Sequence, residues 1–128
     1  MNAIALGTDL VEVARIRRAI DKHGDRLLER CFTDTERTES ERSGPERAAE
    51  RYAARFAAKE AASKAIGTGI AGGVTWRDFE VLSDTLGKPA LRVHGVASDR
   101  ARSLGIRSWL CSMSHTGEHA TATVIGLG

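Results

Sequence analysis

Between Pro45 and Ile66 alanine occupies positions 48, 49, 53, 54, 57, 58, 61, 62 and 65. No other feature limits the folding of this chain as much. Alanine is the strongest helix former, and its single methyl lets neighbouring elements approach closely, so the stretch reads as one long helix packed on several sides. Pro45 suits a first helical position, and Ser43-Gly44-Pro45 marks a surface turn ahead of it. Gly67-Thr68-Gly69 and Gly72-Gly73 end the helix. A chain of 128 residues built round such a helix is expected to form one small domain, residues 1–128.

Residues 4–11 read as a first strand of apolar and small residues with one acid, Asp9, inside it. An amphipathic helix follows from Val13 to His23, with Val13, Ile16 and Ile20 spaced for one buried stripe and Gly24 as its stop. A short helix from Arg26 to Arg30 leads to Thr33-Asp34-Thr35-Glu36, which has the form of a capping box. Beyond the long helix, Thr75 to Ser83 and Pro89 to Val93 read as strands joined by Asp84-Thr85-Leu86-Gly87-Lys88. A helix from Val96 to Leu104 then precedes strands at 107–114 and 119–125, which flank Thr116-Gly117-Glu118. Helices that precede and interrupt antiparallel strands predict an α+β fold, an antiparallel sheet packed against the long central helix.

Composition excludes several classes. Hydrophobic residues at 41% and charged residues at 28% are ordinary for a globular protein. Nineteen Lys and Arg against seventeen Asp and Glu leave +2, and there are only three Phe, two Trp and one Tyr, so a nucleic-acid footprint and a base-stacking platform are both missing. No apolar run is long enough to span a membrane. Met1-Asn2-Ala3-Ile4 lacks the features of a signal peptide, and Cys31 and Cys111 form neither a disulfide framework nor a zinc pattern. The expected setting is the reduced cytoplasm.

Two motifs carry less than they promise. Gly67-Thr68-Gly69-Ile70-Ala71-Gly72 matches a dinucleotide fingerprint, yet a helix enters it where a strand should, so its glycines read as a helix cap and connection. His115-Thr116-Gly117-Glu118-His119 matches a zinc-protease pattern, but Gly117 lies in a turn between strands rather than on a continuous helix. Each cysteine reads as a small buried hydrophobe.

The informative segment is Arg55-Phe56-Ala57-Ala58-Lys59-Glu60-Ala61-Ala62-Ser63-Lys64-Ala65. Glu60 and Lys64 share a helical face and alone would read as a surface pair. The flanking alanines place that face in a packed environment, where charges are costly without partners. Asp9 raises the same question within its strand. A buried ion pair answers it, and so does a cation held between Asp9 and Glu60. Two carboxylates, no thiolate and a nearby lysine suit a hard ion such as Mg2+ that keeps several waters on a phosphate-bearing substrate.

Gly7-Thr8-Asp9-Leu10-Val11-Glu12 with Arg15-Ile16, the Phe32 to Glu36 segment, the Arg55 to Gly69 helix, Gly87-Lys88-Pro89 and Ser112-Met113-Ser114-His115 occur here in one order. This ordered set resembles the holo-acyl-carrier-protein synthases of the 4′-phosphopantetheinyl transferase superfamily, bacterial fatty-acid type, over nearly the whole chain. The resemblance implies transfer of the 4′-phosphopantetheine arm of coenzyme A to a serine of an acidic apo acyl carrier protein. Adenosine 3′,5′-bisphosphate is the other product. It implies Mg2+ on Asp9 and Glu60, and Lys64 on phosphate. Glu60 or a water on the metal takes the serine proton, with Asp34 a lesser candidate to orient that water. Arg55, Lys64, Gly87, Lys88, Pro89, Ser114 and His115 are implied for coenzyme A, and a homotrimer with active sites at subunit boundaries. Arg15, Arg18 and Lys22 form a basic helical stripe suited to an acidic carrier helix; without the resemblance they would read as a solvated face balanced by Asp21 and Asp25. Thr38 to Arg51 is unusually charged and matches no fixed family pattern, which bears on carrier preference.

Overall fold

The computed structural model describes residues 1–128. The alanine-rich stretch forms one helix, α4 (Pro45–Ala65), and everything else is arranged round it. Ahead of it come β1 (Ala3–Glu12), α1 (Val13–His23), α2 (Asp25–Cys31) and α3 (Asp34–Glu41). After it come a 3-10 turn (Trp76–Asp78), β2 (Phe79–Ser83), β3 (Pro89–Val93), α5 (Gly95–Ser103), β4 (Ser108–His115) and β5 (His119–Leu127). No helix is long and apolar enough to cross a membrane.

Local chemistry fixes the junctions. Gly24 ends α1 at φ 57°, a left-handed conformation that suits glycine, and its N–H donates to Ile20 O. Thr33 and Glu36 form the expected capping box at the start of α3. Most boundaries fall within a residue or two of the sequence expectation, but the strand predicted from Thr75 begins only at Phe79. Thr75 and Asp78 close a second capping box over the 3-10 turn, so the local side-chain bonds win over strand propensity.

The strands form two separate antiparallel sheets, β1-β5-β4 and the hairpin β2-β3. In the larger sheet Asp9 lies opposite Ala122 and His115 opposite Ala120. Its inner face, with Val11, Ala120, Ala122 and Val124, packs on the alanines of α4 in one core cluster. The crossing is very close at one point. A Cβ added to Gly7 would lie 1.8 Å from the carbonyl oxygen of Ala61, so only glycine lets β1 touch α4 there. The other face of this sheet is open, and Leu6 and Leu10 are each 67% exposed on it.

Candidate active site

The Gly7–Ala61 contact brings the second residue along β1, Asp9, to the face of α4 that carries Glu60 and Lys64. Lys64 Nζ donates to Asp9 Oδ1 at 2.8 Å and to Thr8 O at 3.2 Å. Burial, and then the charge of Asp9, push the Glu60 carboxyl above its ordinary range, while Lys64 and Arg15 pull it back. The hydrogen bond to Asp9 raises the Lys64 ammonium, with burial opposing. Asp9, Glu60, Lys64 and Arg15 therefore act on one another, although the predicted strand and helix lie far apart in the chain.

No group of three or more His, Cys, Asp and Glu side chains is placed to hold a metal ion. The chain offers two carboxylates, Asp9 and Glu60, close enough for the charge of one to act on the other. That donor set fits a hard divalent cation which takes its remaining ligands from water and a substrate, and it does not fit a structural zinc centre.

A second group lies apart from the first. Arg55, Gly87, Pro89 and His115, four of the residues predicted to bind one ligand, line a hollow of about 430 Å3 together with Glu39, Arg42 and Arg51. Arg55 is almost fully buried and donates through Nη2 to Glu39 Oε1 at 2.7 Å. Arg51 Nε is buried with no hydrogen-bond partner. His115 Nδ1 lies 3.0 Å from Glu50 Oε1. Lys88 lines an adjoining hollow with Pro89 and Ser112. Ser114 does not join this group: strand alternation places it on the open face of the sheet, opposite to His115. Neither Asp9 nor Glu60 lines the basic hollow. Within one chain these predicted residues form two separate groups, not one.

Arg42 and Arg51 were missed because they fall in the charged segment that matches no pattern. A signal was present, since Arg51 and Arg55 are four apart and share a helical face.

Arg15, Arg18 and Lys22 are all exposed on α1. Asp25 does not balance them, because it is bonded to Arg37 at 2.9 Å. Beside the stripe, Ala19, Ile20, Leu27, Phe56 and Trp76 line an apolar hollow of about 300 Å3, with the Phe56 and Trp76 rings stacked at 4.6 Å. The remaining motifs stay structural. Gly67, Gly69, Gly72 and Gly73 all take positive φ in the connection after α4, with no strand entering it. His115 ends β4 and His119 begins β5. Burial pushes the Cys111 thiol up to about 11 and also raises Cys31, so neither is an activated nucleophile.

The chain that carries this basic hollow and, apart from it, the carboxylates of Asp9 on β1 and Glu60 on α4 is similar in sequence and fold to known proteins. Residues 5–124 match the 4′-phosphopantetheinyl transferase superfamily. A holo-[acyl-carrier-protein] synthase of Herpetosiphon aurantiacus is 45% identical over 126 residues, covering 98% of this chain and 99% of the relative. Among solved structures, that of a holo-[acyl-carrier-protein] synthase from Neisseria meningitidis superposes with a TM-score of 0.86 at 35% identity, over 99% of this chain and 100% of the other. One from Bacillus anthracis, in complex with CoA (3′,5′-ADP), gives 0.79 at 36% identity, over 97% and 96%. The chain belongs to the 4′-phosphopantetheinyl transferase superfamily.

Proposed function

We propose that this chain is a holo-[acyl-carrier-protein] synthase, with residues 1–128 acting as one transferase domain. It moves the 4′-phosphopantetheine group of coenzyme A onto a serine of an apo acyl carrier protein and leaves adenosine 3′,5′-bisphosphate. A serine oxygen-to-phosphorus bond forms, the diphosphate bridge breaks, and the serine proton leaves to a nearby base. The observation that carries this reading is the convergence of Asp9, Glu60 and Lys64 where β1 crosses α4.

Asp9 and Glu60 would hold Mg2+, which when bound supplies Lewis-acid stabilisation of charge on the transferring phosphate. Lys64, on the rim of this pair and half-exposed, is within reach of a phosphate oxygen as well as of Asp9. Arg51 and Arg55 in the basic hollow suit the phosphate on the nucleotide end of coenzyme A, and the unpartnered Nε of Arg51 is a donor in want of an acceptor. The Gly87-Lys88-Pro89 turn walls the same region. The exposed stripe Arg15, Arg18 and Lys22 leads directly to Glu60, so an acidic carrier protein docked on α1 would present its serine to the carboxylate pair.

The two half-sites of one chain are completed by a second copy. Ile4, Leu6, Leu10 and Leu110 leave an apolar sheet face open, and packing of that face in a homotrimer joins the carboxylate pair of one copy to the basic hollow of the next. Activity of this kind belongs to fatty-acid synthesis in the cytoplasm, where the free thiols of Cys31 and Cys111 are stable.

Mass spectrometry of apo carrier protein incubated with coenzyme A and this chain tests the reading. The carrier should gain one phosphopantetheine with Mg2+ present and none with chelator. A carrier of unchanged mass with Mg2+ present would refute it and favour a non-catalytic binder of coenzyme A or carrier.

A further inference from the structure

The hairpin β2-β3 has no third strand, and side chains take the place of one. Asp84 N–H donates to Lys88 O across the hairpin, so by strand alternation the backbone groups of residues 79, 81 and 83 point to the other edge. That edge faces α3 and α4, where unpaired amides and carbonyls would be costly. Lys59 Nζ donates to Phe79 O, and Val81 N–H donates to Glu36 Oε2 at 3.0 Å. One step further along, Arg55 Nε donates to Val81 O at 3.3 Å and Ser83 N–H donates to Glu39 Oε1 at 3.0 Å. The same side chains are bonded across to one another, Lys59 to Glu36 and Arg55 to Glu39, each at 2.7 Å. Glu36 and Glu39 lie one turn apart on α3, and Arg55 and Lys59 one turn apart on α4, so two stacked ion pairs imitate the hydrogen-bonding edge of a strand.

The second pair borders the basic hollow, whose walls include both Glu39 and Arg55. Ser83 is the last residue of β2, and the turn carrying Gly87-Lys88-Pro89 starts directly after it. We propose that Glu39 is a positioning residue for coenzyme A: by accepting from Arg55 Nη2 and Ser83 N–H together, it holds the guanidinium and the turn in one fixed relation. This rests on the transferase reading above. Charge and position make opposite demands here. A carboxylate on the wall of a basic hollow lowers its positive potential, so on charge alone its removal would tighten an anionic ligand. As a positioning group, its removal loosens the ligand.

Glu39→Ala and Glu39→Gln separate the two, since both remove the charge and only Gln keeps an oxygen acceptor. Coenzyme A affinity by calorimetry, amide exchange at Ser83, and steady-state kinetics are the readouts. Glu39→Ala should weaken coenzyme A about tenfold, as expected for loss of a charge-assisted hydrogen bond. It should also speed exchange at Ser83 and raise the KM for coenzyme A with kcat little changed, while Glu39→Gln stays near wild type in all three. Unchanged or tighter binding in Glu39→Ala, Gln behaving as Ala does, or equal Ser83 exchange in all three proteins would each overturn the proposal. Failure of the wild-type chain to bind coenzyme A would instead refute the transferase reading, and Ser83 exchange would still decide whether the clamp exists.

Discussion

Glu60 is held under tension by its own neighbours. Burial and the adjacent Asp9 charge raise its carboxyl above the ordinary range, so the ionised form is penalised in the folded chain relative to the unfolded one. The sign follows: at neutral pH the fold carries this penalty, and it fades as pH falls through the raised value toward the ordinary carboxylate value. Glu60→Gln should therefore raise the melting temperature at neutral pH, lose that advantage in acid, and lower turnover by orders of magnitude. A melting temperature equal to or below that of wild type at neutral pH would show that no such penalty exists. Asp9 and Glu60 were readable in the sequence as candidates because carboxylates in apolar surroundings need partners. The bond from Lys64 to Asp9 was not readable, because side-chain reach between β1 and α4 depends on how closely the two elements approach. The same holds for Ser114, whose motif is intact but whose strand turns it to the other face of the sheet from His115.

Between elements, the crossing of β1 over α4 positions the candidate site. A methyl at residue 7 would collide with the Ala61 carbonyl, and a backbone oxygen cannot rotate away. Gly7→Ala is expected to cost about 3 kcal/mol or more and to lower activity further by shifting Asp9 from Glu60, as read by chemical denaturation and turnover. Unaltered stability would mean the strand is free to move off the helix. The basic face of α1 carries a different expectation. Reversing Arg15 and Arg18 to Glu should raise the KM for carrier protein far more than that for coenzyme A, and added salt should weaken wild-type docking in the same selective way. Equal effects on the two substrates would dismiss α1 as the docking surface. Both ends of α1, the start of α3 and the β3 strand were legible to the residue, because capping, glycine and proline act locally. The false start of β2 at Thr75 shows the limit of that logic, since a Thr–Asp capping box outcompetes a β-favouring composition.

At the scale of the whole molecule, the chain offers two separate groups of candidate site residues and one uncovered apolar sheet face. If copies share each active site, Asp9→Ala and His115→Ala should each be nearly inactive alone and regain activity when mixed and allowed to exchange subunits. Native mass spectrometry would report the exchange, and exchange without recovery would place the whole site within one chain. The sequence determined most of what rests on near neighbours: α4 from its alanines, the caps of α1 and α3, the hairpin turn, and the family resemblance of the ordered motifs. Only the three-dimensional structure decided which of those motifs meet, which face of β1 is buried, and that two ion pairs serve β2 as a strand. Local preferences act over a turn or two of chain, whereas convergence of Asp9 with Lys64, and the separation of both from Arg55 and His115, depend on packing between elements remote in sequence.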